Sequence, residues 1–145
     1  MPATSSLKIA FNFLKPASLS DRTRLRGFIE SIFKKEGRRL EDLSFIFCSD
    51  AYLLNINRRY LKHNDLTDII TFDLSDRQSS IAEIYISVDR VRENAVLFKV
   101  SFRNELLRVI FHGVLHLCGY KDKKPEEKQV MREKEDFYLN RYFDK

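Results

Sequence analysis

Two histidines and one aspartate in the last quarter of the chain have the spacing of metal ligands. His112 and His116 are four residues apart in an apolar helical pattern, so both imidazoles lie on one helix face, one turn apart. Gly119 ends that helix, and Asp122 supplies a carboxylate six residues after the second histidine. The pattern H-x-x-x-H-x-x-G-x-x-D therefore offers three protein ligands and leaves one position for water, the ligand count of a catalytic zinc site.

Structural explanations compete with metal binding at these positions. The two histidines can be core or capping residues, and Asp122 lies among lysines, where a solvated turn residue is common. The same spacing occurs in metzincin proteases, which carry a glutamate directly after the first histidine as the general base. Gly113 holds that position here, so the sequence argues against a protease. Cys118 lies about 200° around the helix from His116 and is a poor ligand candidate.

Hydrophobic periodicity predicts the elements that must position these ligands. Ser20 or Asp21 caps the first helix, Ser101 caps the ligand-bearing helix, and Pro125 begins the last one. The predicted strands cover residues 7–13, 43–48, 68–74 and 81–87. The first predicted helix ends near residue 35, and the others cover residues 50–61, 88–98, 102–118 and 125–142. This order predicts one domain over residues 1–145, of the α/β or α+β class. We expect a small mixed sheet of about four strands, with the metal site at the end of a central helix.

The formal net charge of +5 comes entirely from the first 60 residues, which hold 11 basic and 6 acidic side chains against 15 and 15 in the remainder. A local excess of cations attracts polyanions and releases their counterions, which favours nucleic acid as a partner. A well-solvated helix surface is the alternative interpretation. The candidate nucleic-acid-binding residues are Arg22, Arg24, Arg26, Lys34, Lys35, Arg38, Arg39 and Arg59.

Composition excludes several other classes of protein. The chain has only two cysteines, too few for a disulfide scaffold, and we expect both as free thiols in the cytoplasm. Its most apolar stretch, residues 109–120, is far shorter than the roughly 20 residues of a membrane span. The first 15 residues lack the continuous apolar segment of a signal peptide.

The ligand-bearing segment resembles the hallmark of one family, the YbeY endoribonucleases, also called rRNA maturation factors. The family hallmark HGxLHLxGYDH corresponds to residues 112–122, HGVLHLCGYKD, and nine of the eleven positions are compatible. The family's aspartate corresponds to Lys121, and its third metal-binding histidine corresponds to Asp122. A carboxylate in place of imidazole keeps a ligand that zinc accepts, but it makes the site harder and more anionic.

The resemblance extends over about half the chain. Residues 66–72 (LTDIITF) are similar to the family's PTDVLSF, and residues 83–87 (EIYIS) are similar to its GDIxIS strand. Asn57 and Tyr60 match its NxxYR stretch, but the family's arginine, to which RNA binding or cleavage is attributed, corresponds to Leu61. The side chains that can take over its role are Arg58, Arg59 and His63.

The resemblance implies a metal-dependent endoribonuclease specific for single-stranded RNA, with a role in 16S rRNA 3′-end maturation and ribosome quality control. Its implied partners are rRNA and the ribosome, with neither DNA nor a membrane. His112, His116 and Asp122 would hold one Zn²⁺, or another divalent ion, and the ion would activate a water to attack the phosphodiester. A ribosome-associated assembly factor with a structural metal and little or no cleavage is one alternative; another metal hydrolase, such as a protease, is the second.

Overall fold

A computed structural model describes residues 7–62 and 67–144 of the chain. Within these ranges four strands are followed or separated by five α-helices, one of which continues as a short π-helical segment. The strands are β1 (Lys8–Phe13), β2 (Asp42–Cys48), β3 (Ile69–Asp73) and β4 (Ile81–Ser87). The helices are α1 (Arg22–Lys35), α2 (Asp50–Ile56) with its π-helical continuation Asn57–Leu61, α3 (Val88–Phe98), α4 (Phe102–Leu117) and α5 (Pro125–Phe143).

The strands form one mixed sheet in the order β1-β2-β4-β3. β1, β2 and β4 are parallel, and the connection from β1 to β2 runs through α1, as parallel neighbours require. β3 pairs antiparallel with β4 and lies at the edge of the sheet. The predicted class, a small mixed sheet with helices packed against it, is confirmed.

Helix α4 is the centre of the core. Ten of its sixteen residues are buried, so it is apolar on most of its circumference, as a helix enclosed by other elements must be. It packs against β3, β4, α1, α3 and α5. Alternate residues of β2, Leu43, Phe45 and Phe47, point into this main core, and a smaller cluster forms where α2 covers the opposite face of the sheet around Ile70.

Gly113 explains how closely α4 approaches the sheet. A Cβ atom at this position would lie 2.9 Å from Cδ1 of both Ile69 and Ile84. The residue that follows the first histidine therefore faces the sheet and has no room for a side chain. This packing is a structural reason against the glutamate that a metzincin carries there.

The predicted elements agree with the structure within a few residues, with two differences. The second helix was expected to be regular over residues 50–61, but it turns π-helical at Asn57. Asp21 holds the cap position of α1 without a side-chain capping bond, because its backbone is left-handed with φ of 58°. Ser101 does cap α4, accepting a hydrogen bond from the Asn104 backbone. In the described part of the chain, every helix is too short or too polar to cross a membrane.

Candidate metal centre

His112 and His116 occupy successive turns at the carboxyl-terminal end of α4. Their ring centroids are 4.6 Å apart, so the helix brings both imidazoles to one place, as their spacing predicts. The chain then reverses at Gly119, whose φ of 103° is a conformation that residues with a side chain rarely adopt. The Gly119 and Tyr120 amides donate to carbonyls of the last turn, which fixes the direction of the following loop.

The loop places the Asp122 carboxylate against both histidines. One oxygen lies 3.2 Å from His112 Nε2, and the other lies 3.5 Å from His116 Nε2. Two ligands of a tetrahedral zinc ion, with bonds of about 2.0–2.1 Å, are about 3.3 Å apart. One donor atom from each of the three residues lies within 4.8 Å of the others, a set compact enough to hold a metal ion. The donor set therefore fits a zinc-type ion.

A buried glutamate holds the first histidine from behind. Glu135 on α5 lies 2.5 Å from His112 Nδ1, so Nδ1 carries the proton and Nε2 is left to face Asp122. The other Glu135 oxygen accepts from Arg108, which also pairs with Asp136. A carboxylate bound to the second ring nitrogen fixes the tautomer and the orientation of a metal-ligating histidine. Arg108 and Glu135 thus fix the orientation of His112, and through it they would act on a bound metal.

Sequence reasoning missed Glu135, although the sequence contains a signal for it. The buried residues of α5 include Met131, Tyr138 and Tyr142, which form a stripe at helical spacing. Glu135 falls on the same stripe and is only 6% exposed. An acid on a buried stripe must have a partner, which here is supplied by His112 and Arg108.

The two imidazoles differ in proton affinity. Burial opposes a charge on His112, but the hydrogen bond to Glu135 and the charges of Glu135 and Asp122 outweigh it and raise the pKa of His112. Burial and the adjacent His112 lower the pKa of His116. His116 therefore favours the neutral form that a metal requires, whereas a metal at His112 Nε2 would compete with protonation of that ring. Cys118 is absent from the donor group; burial raises its thiol pKa to about 12.

The metal centre opens into a cleft of about 880 Å³ along the free edge of β3. Glu105, seven residues before His112 on α4, lines the cleft and is only 4% exposed. Burial raises the pKa of Glu105 to about 7, against the opposing charge of Arg108, and burial also raises the pKa of Asp68. Sequence reasoning assigned no role to either acid. The cleft walls thus combine acids with the cations Arg108 and Lys123.

The predicted nucleic-acid-binding cations of α1 divide into two groups. At its amino-terminal end, each of three arginines donates to a backbone carbonyl and lies over an aromatic ring of this protein. Arg22 contacts the Leu19 carbonyl and the Phe13 ring. Arg24 contacts the carbonyl and the ring of Tyr142, and Arg26 contacts the Ile9 carbonyl and the Phe11 ring. At its other end, Lys34, Lys35 and Arg39 are exposed. Arg38 donates to the Leu117 carbonyl at 2.6 Å and pairs with Asp73, which joins this end of α1 to the end of α4. None of these side chains is among the described residues that line the cleft.

The π-helical segment also contributes to the cleft wall. Leu61, at the position of the family's arginine, lines the cleft and is exposed. Arg59 lies on the same segment, with its guanidinium 5.9 Å from the Tyr60 ring centroid. His63, the third candidate to replace the arginine, lies outside the described residues.

An open set of three donors at the end of a central helix, inside a cleft, has the arrangement of a hydrolase-type metal site on a small mixed-sheet fold. A family profile described as Endoribonuclease YbeY matches residues 15–143. The chain therefore belongs to the YbeY endoribonuclease family, as the hallmark segment indicated.

Individual relatives support the same assignment. The chain is 46% identical over 128 residues to the Endoribonuclease YbeY of Flavobacterium psychrophilum, a match that covers 88% of this chain and 91% of the relative. The protein of the same name from Cytophaga hutchinsonii is 49% identical over 123 residues, covering 84% and 86% of the two chains. Among solved structures, that of TM1509 from Thermotoga maritima matches with a TM-score of 0.61 and 28% identity, covering 94% of this chain and 89% of that one.

Proposed function

We propose that this protein is a metal-dependent endoribonuclease that cleaves single-stranded RNA, built as one domain over residues 1–145. The observation that carries the proposal is the open donor set of His112, His116 and Asp122 at the base of a cleft large enough for a nucleotide chain. Membership of the family specifies RNA as the substrate. A protease is not favoured, because the Gly113 position has no room for a general base.

Zinc is the proposed metal. Two imidazole nitrogens and a carboxylate oxygen are ligands that zinc accepts, and three protein ligands leave a position open for the reaction. A divalent ion here would act as a Lewis acid that activates water and stabilises charge developing on the scissile phosphate. The carboxylate of Asp122 makes the set more tolerant of harder ions such as Mn²⁺ than three imidazoles would be.

The protein's own residues organise the site around that ion. Glu135 holds the His112 ring by Nδ1, and Arg108 holds Glu135, so the ligand is oriented before the metal arrives. Asp122 adds a negative charge that partly offsets the charge of the cation. Arg108 is held by Glu135 and Asp136, so the cation of the cleft wall that can meet a phosphate is the exposed Lys123.

The proposed biological substrate is the 3′ end of 16S rRNA, cleaved in the cytoplasm during ribosome maturation and quality control. Support for this step comes from the family, whose members are named endoribonucleases, and from the excess of cations on the first 60 residues. DNA is not expected as a substrate. The exposed cations near the end of α1, Lys34, Lys35 and Arg39, are proposed to contact RNA outside the cleft, together with Arg38 and Arg59.

Cleavage of single-stranded rRNA by metal-quantified protein tests the proposal. We compare wild type, His116→Ala and chelator-treated protein, with zinc or manganese added back, and use casein as the protease substrate. We expect His116→Ala to lose its metal and at least about 100-fold in cleavage rate, because one of three ligands is removed. Asp122→His, which restores the family's third imidazole, should retain cleavage and shift the preference toward zinc.

Each outcome distinguishes the proposal from its alternatives. Cleavage that survives both His116→Ala and chelation would contradict a metal-dependent nuclease. Stoichiometric zinc without cleavage of any RNA would favour an assembly factor with a structural metal. Cleavage of casein but not RNA would favour the protease.

A further inference from the structure

The π-helical continuation of α2 presents an exposed aromatic side chain beside the cleft. The segment begins at the buried Asn57 and ends at Lys62, whose backbone is left-handed and whose amide donates to the Asn57 carbonyl. Single turns of π-helix are rare and occur frequently at functional sites. Between these fixed ends lies Tyr60, with 65% of its surface exposed. The backbone therefore holds the position of an aromatic ring that contributes little to the core.

Two further aromatic rings support Tyr60 from below. Its ring meets Phe72 of β3 edge to face, with centroids 6.2 Å apart, and Phe72 meets Tyr85 of β4 in the same way at 5.8 Å. The Tyr85 hydroxyl donates to Glu83, which anchors the lower end of this row of rings. Edge-to-face contacts of this kind favour one arrangement of the rings. Tyr60 is thus an oriented surface, in contrast to a side chain that is free to rotate in solvent.

The position of Tyr60 connects this surface to the metal centre. Leu61, the next residue, and Asn57, on the same segment, line the cleft that contains His112 and His116. Ile70 and Thr71, the two residues before Phe72 on β3, line it as well. Tyr60 therefore lies beside the cleft wall that its neighbours form, where a strand leaving the cleft past the free edge of β3 would meet it.

The charge around Tyr60 indicates what kind of polymer this is. Residues 57–62 include three cations, Arg58, Arg59 and Lys62, and no acid. The Arg59 guanidinium lies 5.9 Å from the Tyr60 ring centroid. An aromatic face beside cations suits a single-stranded nucleic acid, since bases stack on the ring while phosphates meet the charges.

We propose that Tyr60 is a stacking site for one unpaired nucleobase of the RNA and that Arg59 contacts the adjoining phosphate. The choice of RNA as the ligand rests on the proposed function. The stacking site gives a physical reason for a preference for single strands, because a base inside a duplex has no free face to offer. Arg59 also supplies a cation next to Leu61, which stands at the position of the family's arginine.

Binding and cleavage of a single-stranded RNA that carries one 2-aminopurine test this proposal. The fluorescence of 2-aminopurine falls when the base stacks, so the signal reports stacking whether or not the strand is cut. The variants are Tyr60→Leu, which keeps an apolar contact with Phe72 but removes the ring, and Tyr60→Phe, which keeps the ring. Phe98→Ala is the matched control, since Phe98 is an exposed aromatic residue on α3 outside the cleft lining.

We expect Tyr60→Leu to lose the quenching at one position of the strand and to bind about tenfold more weakly, with a matching rise in KM and little change in kcat. Tyr60→Phe and Phe98→Ala should stay within about twofold of wild type. Equal quenching and affinity for wild type and Tyr60→Leu, in protein with an unchanged circular dichroism spectrum and metal content, would overturn the proposal. Quenching that depends on Tyr60 in a wild type that cuts no RNA would support the stacking site and contradict the nuclease.

Discussion

Helices α4 and α1 pack against each other through Phe111 and Phe28, whose ring centroids are 5.4 Å apart. The polar side chains of the two helices nevertheless have different partners. On α4, His112 and His116 converge on Asp122 and are supported by Glu135 from α5. On α1, the arginines at the amino-terminal end bind carbonyls and rings of their own protein. Density of charge on a helix is therefore a weaker indicator of a site than convergence of side chains on one point.

The difference has a physical origin. Arginine has a long apolar stem and five donors, so it readily covers neighbouring hydrophobic surface and satisfies nearby carbonyls. A histidine on a buried helix has no such freedom, and two of them one turn apart must share their surroundings. At the carboxyl-terminal end of α1, which the Arg38–Leu117 hydrogen bond ties to the end of α4, Lys34, Lys35 and Arg39 remain exposed.

Among variants that leave the three donors in place, the largest effect is expected from removing the carboxylate charge behind His112. Glu135→Gln keeps the shape of the side chain but leaves His112 Nδ1 without its carboxylate partner. We expect the affinity for zinc to fall about 10- to 100-fold, as is typical when the acceptor behind a metal-ligating histidine is lost. Competition with a chromophoric chelator at fixed pH measures this. Asp136→Asn is the control, because Asp136 also pairs with Arg108 but is largely exposed.

Equal zinc affinities for the Glu135→Gln and Asp136→Asn variants would contradict this account. The affinity for zinc would then depend only on α4 and the loop that follows it. The spacing of the two histidines alone would then distinguish α4 from α1.

The second prediction compares the change in the free energy of unfolding when one glycine of each helix is replaced by alanine. Gly113→Ala on α4 pushes a methyl group against Ile69 and Ile84, and overpacking of this kind costs about 1–3 kcal/mol. Alanine regains up to about 1 kcal/mol of helix propensity, so a net loss of about 1 kcal/mol is expected. Gly27→Ala on α1 meets nothing within 4 Å and should gain about 0.5–1 kcal/mol. Urea denaturation of both variants measures the two changes in the free energy of unfolding.

Opposite signs for the two glycine variants would show that close packing of α4 on the sheet, and not helix propensity, fixes the residue after His112. A stabilised Gly113→Ala variant would mean that the two isoleucines move aside readily. The steric argument against a general base at this position would then lose its support.

The sequence predicts that the three candidate donors lie together, because their grouping is local. His112, His116, Gly119 and Asp122 lie within eleven residues, so helix geometry and one left-handed glycine suffice to bring the donors together. The strands and helices also follow from hydrophobic periodicity. A strand buries alternate residues, whereas a helix buries every third or fourth residue.

What depends on distant packing escaped prediction. Glu135 reaches His112 across 23 residues, and Arg38 reaches the Leu117 carbonyl across 79. No local rule couples such positions, since only the tertiary fold brings α5 and the end of α1 to α4. The π-helical turn at Asn57 was missed for a related reason. Its sequence is compatible with an α-helix, so no local pattern distinguishes the wider turn.

The smallest effect is expected from the exposed cations of α1. Lys34→Glu combined with Lys35→Glu should weaken binding of single-stranded RNA by about two- to fivefold at 0.15 M salt, because each lysine meets phosphate through solvent and is partly screened. The slope of log affinity against log salt should become shallower by about 1 for each lysine that contacts a phosphate. Fluorescence anisotropy across a salt series measures both quantities.

Lys8→Glu combined with Lys99→Glu is the control. These two lysines are exposed on β1 and at the end of α3, so the variant changes the net charge equally elsewhere on the molecule. An unchanged slope, or the same change in this control, would identify the end of α1 as solvated surface and leave RNA binding to the cleft and the Tyr60 segment.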